Sequence, residues 1–451
     1  CDFMNSIVEY LRGLGYSINS DYYAYINTWR EWYSGKVKKF HSYKQYNGKK
    51  QVPRERYTLG MAKKGCEDWA NKLMSEKVTI STTSQETLDD ILERNEFWLN
   101  ANQLVEETFA LGTGAFVEYK AGDQPVIDFI IAPMIFPLKW KKGRIIDCAF
   151  ASLIESGDKK TYYVNIHKQV GSKYCVENKI IIANNDGTFN EGELPKNVMP
   201  VVWNDVKTFQ IIKPNIVNNI DMGNPMGMAI FANAIDEMKT IDLIYDSYKN
   251  EFNLGKKRIF VKSGALNVDL ENGDAVPVFD ENDIEFYAMP DEDGTDMIRE
   301  SKFDIRAEQH DTGLQTNLNL YGKKIGFGDN GYKWEKGQVK TATETISDNS
   351  EMFRNIQKHE VILEPALIGM VEALIYLKTG KVYTGDTTIN FDDSIIEDMA
   401  EVKRQAMIEY NAGIIDKVEY YVRVYKITES EAIKKIETME ARKPKEMTYE
   451  V

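Results

Sequence analysis

The stretch from Asn224 to Gly255 constrains the fold more than any other, because it carries the clearest helical pattern in the sequence. Ile230, Ala234, Met238, Ile241, Tyr245, Tyr248 and Phe252 recur at steps of three and four, which aligns them as one apolar stripe. Asn224-Pro225 reads as the start, with proline in the first turn, and Gly255 as the stop. The opposite face carries Asp236, Lys239, Asp246 and Asn250, with Asp242 on its flank. A helix from about Pro225 to Leu254, about 30 residues at 1.5 Å each, makes a rod of roughly 45 Å. That length suits a strut.

Lys256-Lys257-Arg258 follows at the negative end of the helix dipole, where cations are favoured. Residues 259–299 read as a compact insert of short strands and turns. Asp269, Glu271, Asp274, Asp280, Glu281, Asp283, Glu285, Asp291, Glu292, Asp293 and Asp296 make it acidic. These carboxylates lack the spacing and closing glutamate of a calcium loop, so they read as solvated surface. A second helix, about Phe303 to Tyr321, leads into a segment with Gly322, Gly326, Gly328, Gly331 and Gly337, which predicts a flexible loop. A long helix then runs from about Ala342 to Leu377, bent near Pro365 because proline removes a hydrogen bond. Thr387 to Phe391 reads as a strand. Helices over about Glu397–Asn411, Asp416–Val424 and Glu429–Ala441 close the chain.

Upstream, Asp21 to Tyr57 interleaves aromatic residues with lysines. That mixture could stack bases, but a small helix and hairpin whose rings feed a core accounts for it. Helices over Leu59–Ser75 and Ser84–Phe109 follow, the second opening with a capping pattern at Ser84. From Ala115 to Phe209 the period becomes two. Short strands at 116–119, 126–129, 145–146, 162–166 and 179–182 are separated by glycine turns, so an antiparallel sheet follows helices and the class is α+β.

With 451 residues, 43% of them apolar and 28% charged, the chain can bury a core without disulfides or metals. No apolar run approaches the ~20 residues of a membrane span, which predicts a soluble protein without membrane partners. Four dispersed cysteines and no visible signal peptide predict reduced thiols in a cytoplasm. The net charge of −14 argues against gripping nucleic acid over the whole surface, though not against letting it pass. No phosphate-binding loop or zinc spacing occurs, and no cofactor or metal is expected. Ser156-Gly-Asp-Lys159, Ser347-Asp-Asn349 and Lys378-Thr-Gly380 follow the order used by serine acyl enzymes. However, the first sits in a polar hairpin turn and the last ends a helix. No enzyme is expected.

Several stretches together resemble portal proteins of tailed bacteriophages, of the type found in phages of low-GC Gram-positive bacteria. These are Asn224-Pro-Met-Gly227 through Gly255, Arg306-Ala-Glu-Gln-His310, Lys340-Thr-Ala-Thr-Glu344, Ile346-Ser-Asp-Asn-Ser350 and Phe353-Arg-Asn-Ile-Gln-Lys-His359. Tyr33-Ser-Gly35 and Cys66-Glu-Asp-Trp-Ala70 extend the likeness into the N-terminal half. A different phage or mobile-element structural protein, such as a minor capsid component, is the alternative.

The resemblance implies a ring of about twelve copies at one capsid vertex, through which double-stranded DNA enters and leaves. It implies a wing over 1–223 and 340–391, stem helices over 224–254 and 303–322, and a clip over 255–302. A tunnel loop would span 323–339 and a crown 392–451. The terminase large subunit and then a head-completion adaptor would dock at the clip through Asp269, Glu271, Asp280, Glu281 and Asp283. The major capsid protein and scaffolding protein would be further partners, in a virion assembled in the bacterial cytoplasm. In such a ring Ile230, Met238, Ile241, Tyr245, Tyr248 and Phe252 would pack between subunits, while Asp236 and Asp246 look into the lumen. Over about twelve copies the charge becomes roughly −170, a field that repels phosphate unless locally offset. Lys323, Lys324, Lys333 and Lys336 would offset it in the tunnel loop, with Tyr332 and Trp334 as braces.

Overall fold

The computed structural model describes residues 2–46, 50–74, 78–156, 160–184, 187–254, 258–262, 268–271, 274–277, 286–289, 298–301, 304–329, 331–333, 350–391, 399–425, 427 and 429–441. The first quarter of the chain, to Leu111, is mainly helical. It holds α1 (Asp2–Gly13), α2 (Tyr22–Tyr33), a single turn α3 (Lys38–His41), α4 (Met61–Leu73), α5 (Gln85–Arg94) and α6 (Phe97–Leu111). The aromatic, lysine-rich stretch feeds the core: Tyr22, Tyr23, Trp29 and Trp32 are all buried. Where one helix was expected from Ser84 to Phe109 there are two. Asn95 breaks them apart, donating to the Ile91 and Pro125 carbonyls and accepting the Ile127 N–H, and Glu96 takes a left-handed φ of 45°. The Ser84 hydroxyl does not cap α5; Gln85 accepts the Thr82 N–H at 2.9 Å instead.

The alternating segment folds as expected into antiparallel strands. β4 (Gly114–Ala121) lies between β5 (Gln124–Ile131) and β12 (Phe209–Ile212) in a three-stranded sheet. A larger sheet runs β6 (Ile135–Lys141), β7 (Arg144–Ser156), β8 (Lys160–Val170) and β9 (Lys173–Ala183). Beyond β9, β10 (Phe189–Gly192) and β11 (Val201–Asn204) share its far edge. The long helix α9 (Ser350–Thr379), with Pro365 inside it, packs on the three-stranded sheet. After it, the strand Thr387–Asn390 pairs with β3 (Thr79–Thr82), which ties a late segment of the chain back to an early one.

The helix read from Pro225 begins ten residues later. The α-helix α7 spans Ile235–Leu254, 20 residues and therefore about 30 Å long. Residues 224–231 instead thread through the core as an irregular strap, with Met226, Met228, Ala229, Ile230 and Phe231 buried. Their backbone groups are already bonded elsewhere. Tyr22 Oη donates to the Gly227 carbonyl at 2.7 Å, the Gly227 N–H donates to Thr113 Oγ1 at 3.0 Å, and the Ile230 N–H donates to the Phe109 carbonyl at 2.9 Å. Gly227 and Gly112 also meet backbone to backbone; a Cβ on Gly227 would stand 2.3 Å from the Gly112 carbonyl oxygen. A chain so bonded cannot make helical i→i−4 bonds.

Within the insert the described strands form two small sheets, one of Arg258–Lys262 with Phe286–Met289 and Ile298–Ser301, the other of Val268–Glu271 with Asp274–Pro277. The C-terminal helices α10 (Met399–Asn411), α11 (Lys417–Tyr425) and α12 (Glu429–Ala441) follow, with Ala406, Tyr420 and Val424 in a small core of their own.

Candidate functional site

The helix α7 and its neighbour α8 (Ala307–Ile325) form an antiparallel pair pinned near both ends by charge. At the end nearer the core, Lys324 Nζ lies 2.7 Å from Glu237 and donates to the Asn233 carbonyl. At the end nearer the insert, the Arg306 guanidinium pairs with Glu251, and His310 Nε2 lies 3.6 Å from the same carboxylate. The guanidinium holds the Glu251 carboxyl below the usual carboxylate range.

The apolar stripe of α7 is consumed inside the chain. Ile230, in the strap, and Met238 and Ile241, on the helix, are buried in the subunit's own core and do not face a neighbour. Tyr245 and Tyr248 are half-buried, Tyr248 against His310 and Phe252. Phe252 is exposed. Among the described residues, the apolar side chains that the pair leaves open are Leu243, Phe252 and Leu320, each near half exposure. Leu243 and Leu320 lie off the stripe, so periodicity alone pointed away from them.

The expected acidic face divides the same way. Asp236 is exposed and paired with Lys239, but Asp246 is buried, which overturns its place on an open face. Asp246 accepts the Tyr57 N–H at 3.1 Å. One turn earlier the buried Asp242 takes three bonds: from His41 Nε2 at 3.0 Å, from the Leu59 N–H at 2.8 Å and from Thr58 Oγ1 at 3.1 Å. His41 Nδ1 accepts the Val37 N–H, so the proton sits on Nε2 and faces the carboxylate. These carboxylates fasten the helix to the N-terminal domain.

The glycine segment starts later than its composition suggests. Gly322, Lys323 and Lys324 belong to α8, and the two lysines occupy its last turn, where the dipole favours them. Lys323 lies 3.4 Å from Asp329. Phe327 and Tyr332, which follow, pack closely on the core, where a flexible loop was expected; residues 330 and 334–339 of that loop lie outside the described residues. Phe327 stacks on the buried Trp69 at 4.6 Å, and Trp69 Nε1 donates to the Ile325 carbonyl. Gly326 has a φ of 97°, and a Cβ there would press on Trp69 and Asn355. Tyr332 lies against Tyr321 and Phe327, and its hydroxyl donates to Asp68 at 3.1 Å. Burial, and then that carboxylate, push the Tyr332 phenol far up. Lys333 is exposed; Trp334 and Lys336 lie outside the described residues.

Together these residues make a strut helix, a charge-pinned partner helix, an insert between them and a glycine turn seated on the core. A family model described as phage portal protein, SPP1 Gp6-like, matches residues 16–446. The chain belongs to the phage portal protein family. Two solved structures are similar in outline. One is a chain in the virion of a native gene transfer agent particle, 11% identical, with a TM-score of 0.43 over 80% of this chain and 88% of that one. The other is a chain in the neck of a native gene transfer agent particle computed with C12 symmetry, 12% identical, with a TM-score of 0.40 over 81% and 90%. At that identity and score they add no weight to the assignment. No curated protein matches.

As a portal protein the chain is a structural component of the virion's portal vertex, and its family is non-enzymatic. Of the residues in the serine-enzyme order, the structure describes Ser156 and Lys378, while Lys159 lies outside the described residues. Ser156 ends β7 and the next described strand begins at Lys160, while Lys378 sits at the end of α9, donating to Gln124. Ser347–Asn349 lies outside the described residues. Of the expected clip residues, Asp269 and Glu271 lie on the strand Val268–Glu271; Asp280, Glu281 and Asp283 fall outside the described residues. Among the described residues no three metal-ligating side chains converge, and no helix is long and apolar enough to cross a membrane.

Proposed function

We propose that this portal protein closes into a ring of about twelve copies around a channel that conducts double-stranded DNA during packaging and ejection. The family match over residues 16–446 carries this reading. The stem is α7 with α8, and Leu243, Phe252 and Leu320 are its apolar inter-subunit contacts, in place of the residues its own core has taken. The acidic insert is the clip, where the terminase large subunit docks and a head-completion adaptor later replaces it. The wing meets the major capsid protein and scaffolding protein, and the crown is built from α10 to α12. Assembly takes place in the host cytoplasm.

DNA must slide, so phosphate contacts in the channel have to be few and exchangeable. Lys323 and Lys324 are engaged by Asp329 and Glu237, which leaves Lys333 and Lys336 as the cations for such contacts. Replacing both by alanine is expected to change the amount of DNA retained in filled particles while rings still form. Unaltered packaging and retention would remove these lysines from the channel.

A further inference from the structure

Between α3 and α4 the chain makes a two-stranded ribbon, β1 (Ser42–Tyr46) against β2 (Gln51–Glu55), which joins no other sheet. Only Tyr43 and Val52 of its ten strand residues are even half-buried. A lone hairpin is marginal in water. This one is braced at its root. The Arg56 N–H donates to the His41 carbonyl at 2.7 Å, and its guanidinium lies over Phe40 and Tyr43 at 4.4 and 5.0 Å. His41 on one side, and Tyr57 to Leu59 on the other, are the groups that Asp242 and Asp246 bind. Both legs of the ribbon therefore stand on the stem helix.

The ribbon and its root together carry charge opposite to that of the rest: within 42–55, Lys44, Lys49, Lys50 and Arg54 stand against Glu55, a net +3. Residues 36–57 hold eight lysines and arginines against Glu55, a net +7 within a chain of −14, so the other residues carry −21. A matching acidic face lies on α5 and the turn after it, where Glu86, Asp89, Asp90, Glu93 and Glu96 are exposed beside the single cation Arg94.

We propose that the ribbon is an inter-subunit arm, lying in the ring on the acidic α5 face of the next copy. This rests on the ring reading above. A head-to-tail contact brings different faces of one chain together, so a basic arm and an acidic face on the same subunit form a pair that repeats around the circle. Opposite charge orients the encounter and rejects wrong registers. The ribbon's open strand edges, with Val52 and Pro53 between its cations, suit a protein surface more than a phosphate backbone.

The test is Lys44→Glu with Arg54→Glu in the full-length chain, followed by mass photometry over a dilution series. The subunit concentration for half-assembly should rise by roughly tenfold or more, and Asp89→Lys with Glu93→Lys should reverse part of that rise. A photo-crosslinking residue at position 46 of the otherwise unaltered chain should join residues 85–96 of another copy. Equally stable variant rings, or a crosslink to DNA or to any other segment, would overturn the arm. Absence of rings from the unaltered chain would instead overturn the ring itself.

Discussion

Buried titratable side chains set how this subunit responds to acid. His359 is buried against Trp69 and Phe109, and its Nδ1 accepts the Asn215 N–H at 2.9 Å. His167 is buried between Phe150 and Phe209. Burial lowers both imidazoles to about 3, against 6.5 in the unfolded chain. Between those values the unfolded chain binds more protons, so stability falls as pH drops through 6.5, by up to about 1.4 kcal/mol per unit for each histidine. Glu118 works the other way. It is buried with neither carboxyl oxygen bonded, and burial raises it well above 4.5. The folded chain holds that proton where the unfolded one has lost it, so acidification toward 4.5 favours folding through Glu118. Glu107 and Asp128, also raised by burial, act with Glu118, so the histidines' share is read against a variant: acidification from pH 6.5 to 5 should lower the melting temperature more in the unaltered chain than in one lacking His359. His359→Asn keeps an acceptor near Nδ1 and should flatten the slope; an unchanged slope would remove His359 from the account. No motif could have revealed these groups, because lone histidines in a sequence carry no sign of their burial.

Glycine legibility is just as uneven. Gly227→Ala puts a methyl group on the Gly112 backbone and should cost about 1–3 kcal/mol or more, whereas at Gly223 a Cβ meets only Asp221 Oδ1, at 3.7 Å. Thermal melts of the two variants test this, and an equal, negligible loss would contradict it.

Among the elements, β4, β5, β8, β9 and the C-terminal helices were readable from side-chain period, whereas β6, with Pro137 in it, and the four-residue β10, β11 and β12 were not. The start of the stem helix was not. Asn224-Pro225 has the chemistry of a helix start, but tertiary hydrogen bonds from Tyr22, Thr113 and Phe109 hold residues 227–230 in another form. The stripe through Met238 and Ile241 correctly marked an apolar face; periodicity cannot say whether that face meets its own core or a neighbour. Asp242 shows the same limit, for a carboxylate beside an apolar stripe reads as solvated until His41, Thr58 and Leu59 appear around it. Asp242→Ala would strand those three groups and should cost about 3–5 kcal/mol. Chemical denaturation checks the loss, and a cost under about 1 kcal/mol would show the stem is held without this anchor.

For the whole molecule, the proposed ring has a reason in the fold. Leu243, Phe252 and Leu320 remain exposed on the helix pair of the proposed stem. A closed circle of identical neighbours covers them with no free end. The decisive measurement is the mass of the purified full-length protein in solution. About twelve copies of 51.8 kDa predict one species near roughly 600 kDa, with a hole along its axis when imaged. A chain that stays at 51.8 kDa at every concentration tested, and within assembled particles, would contradict the account.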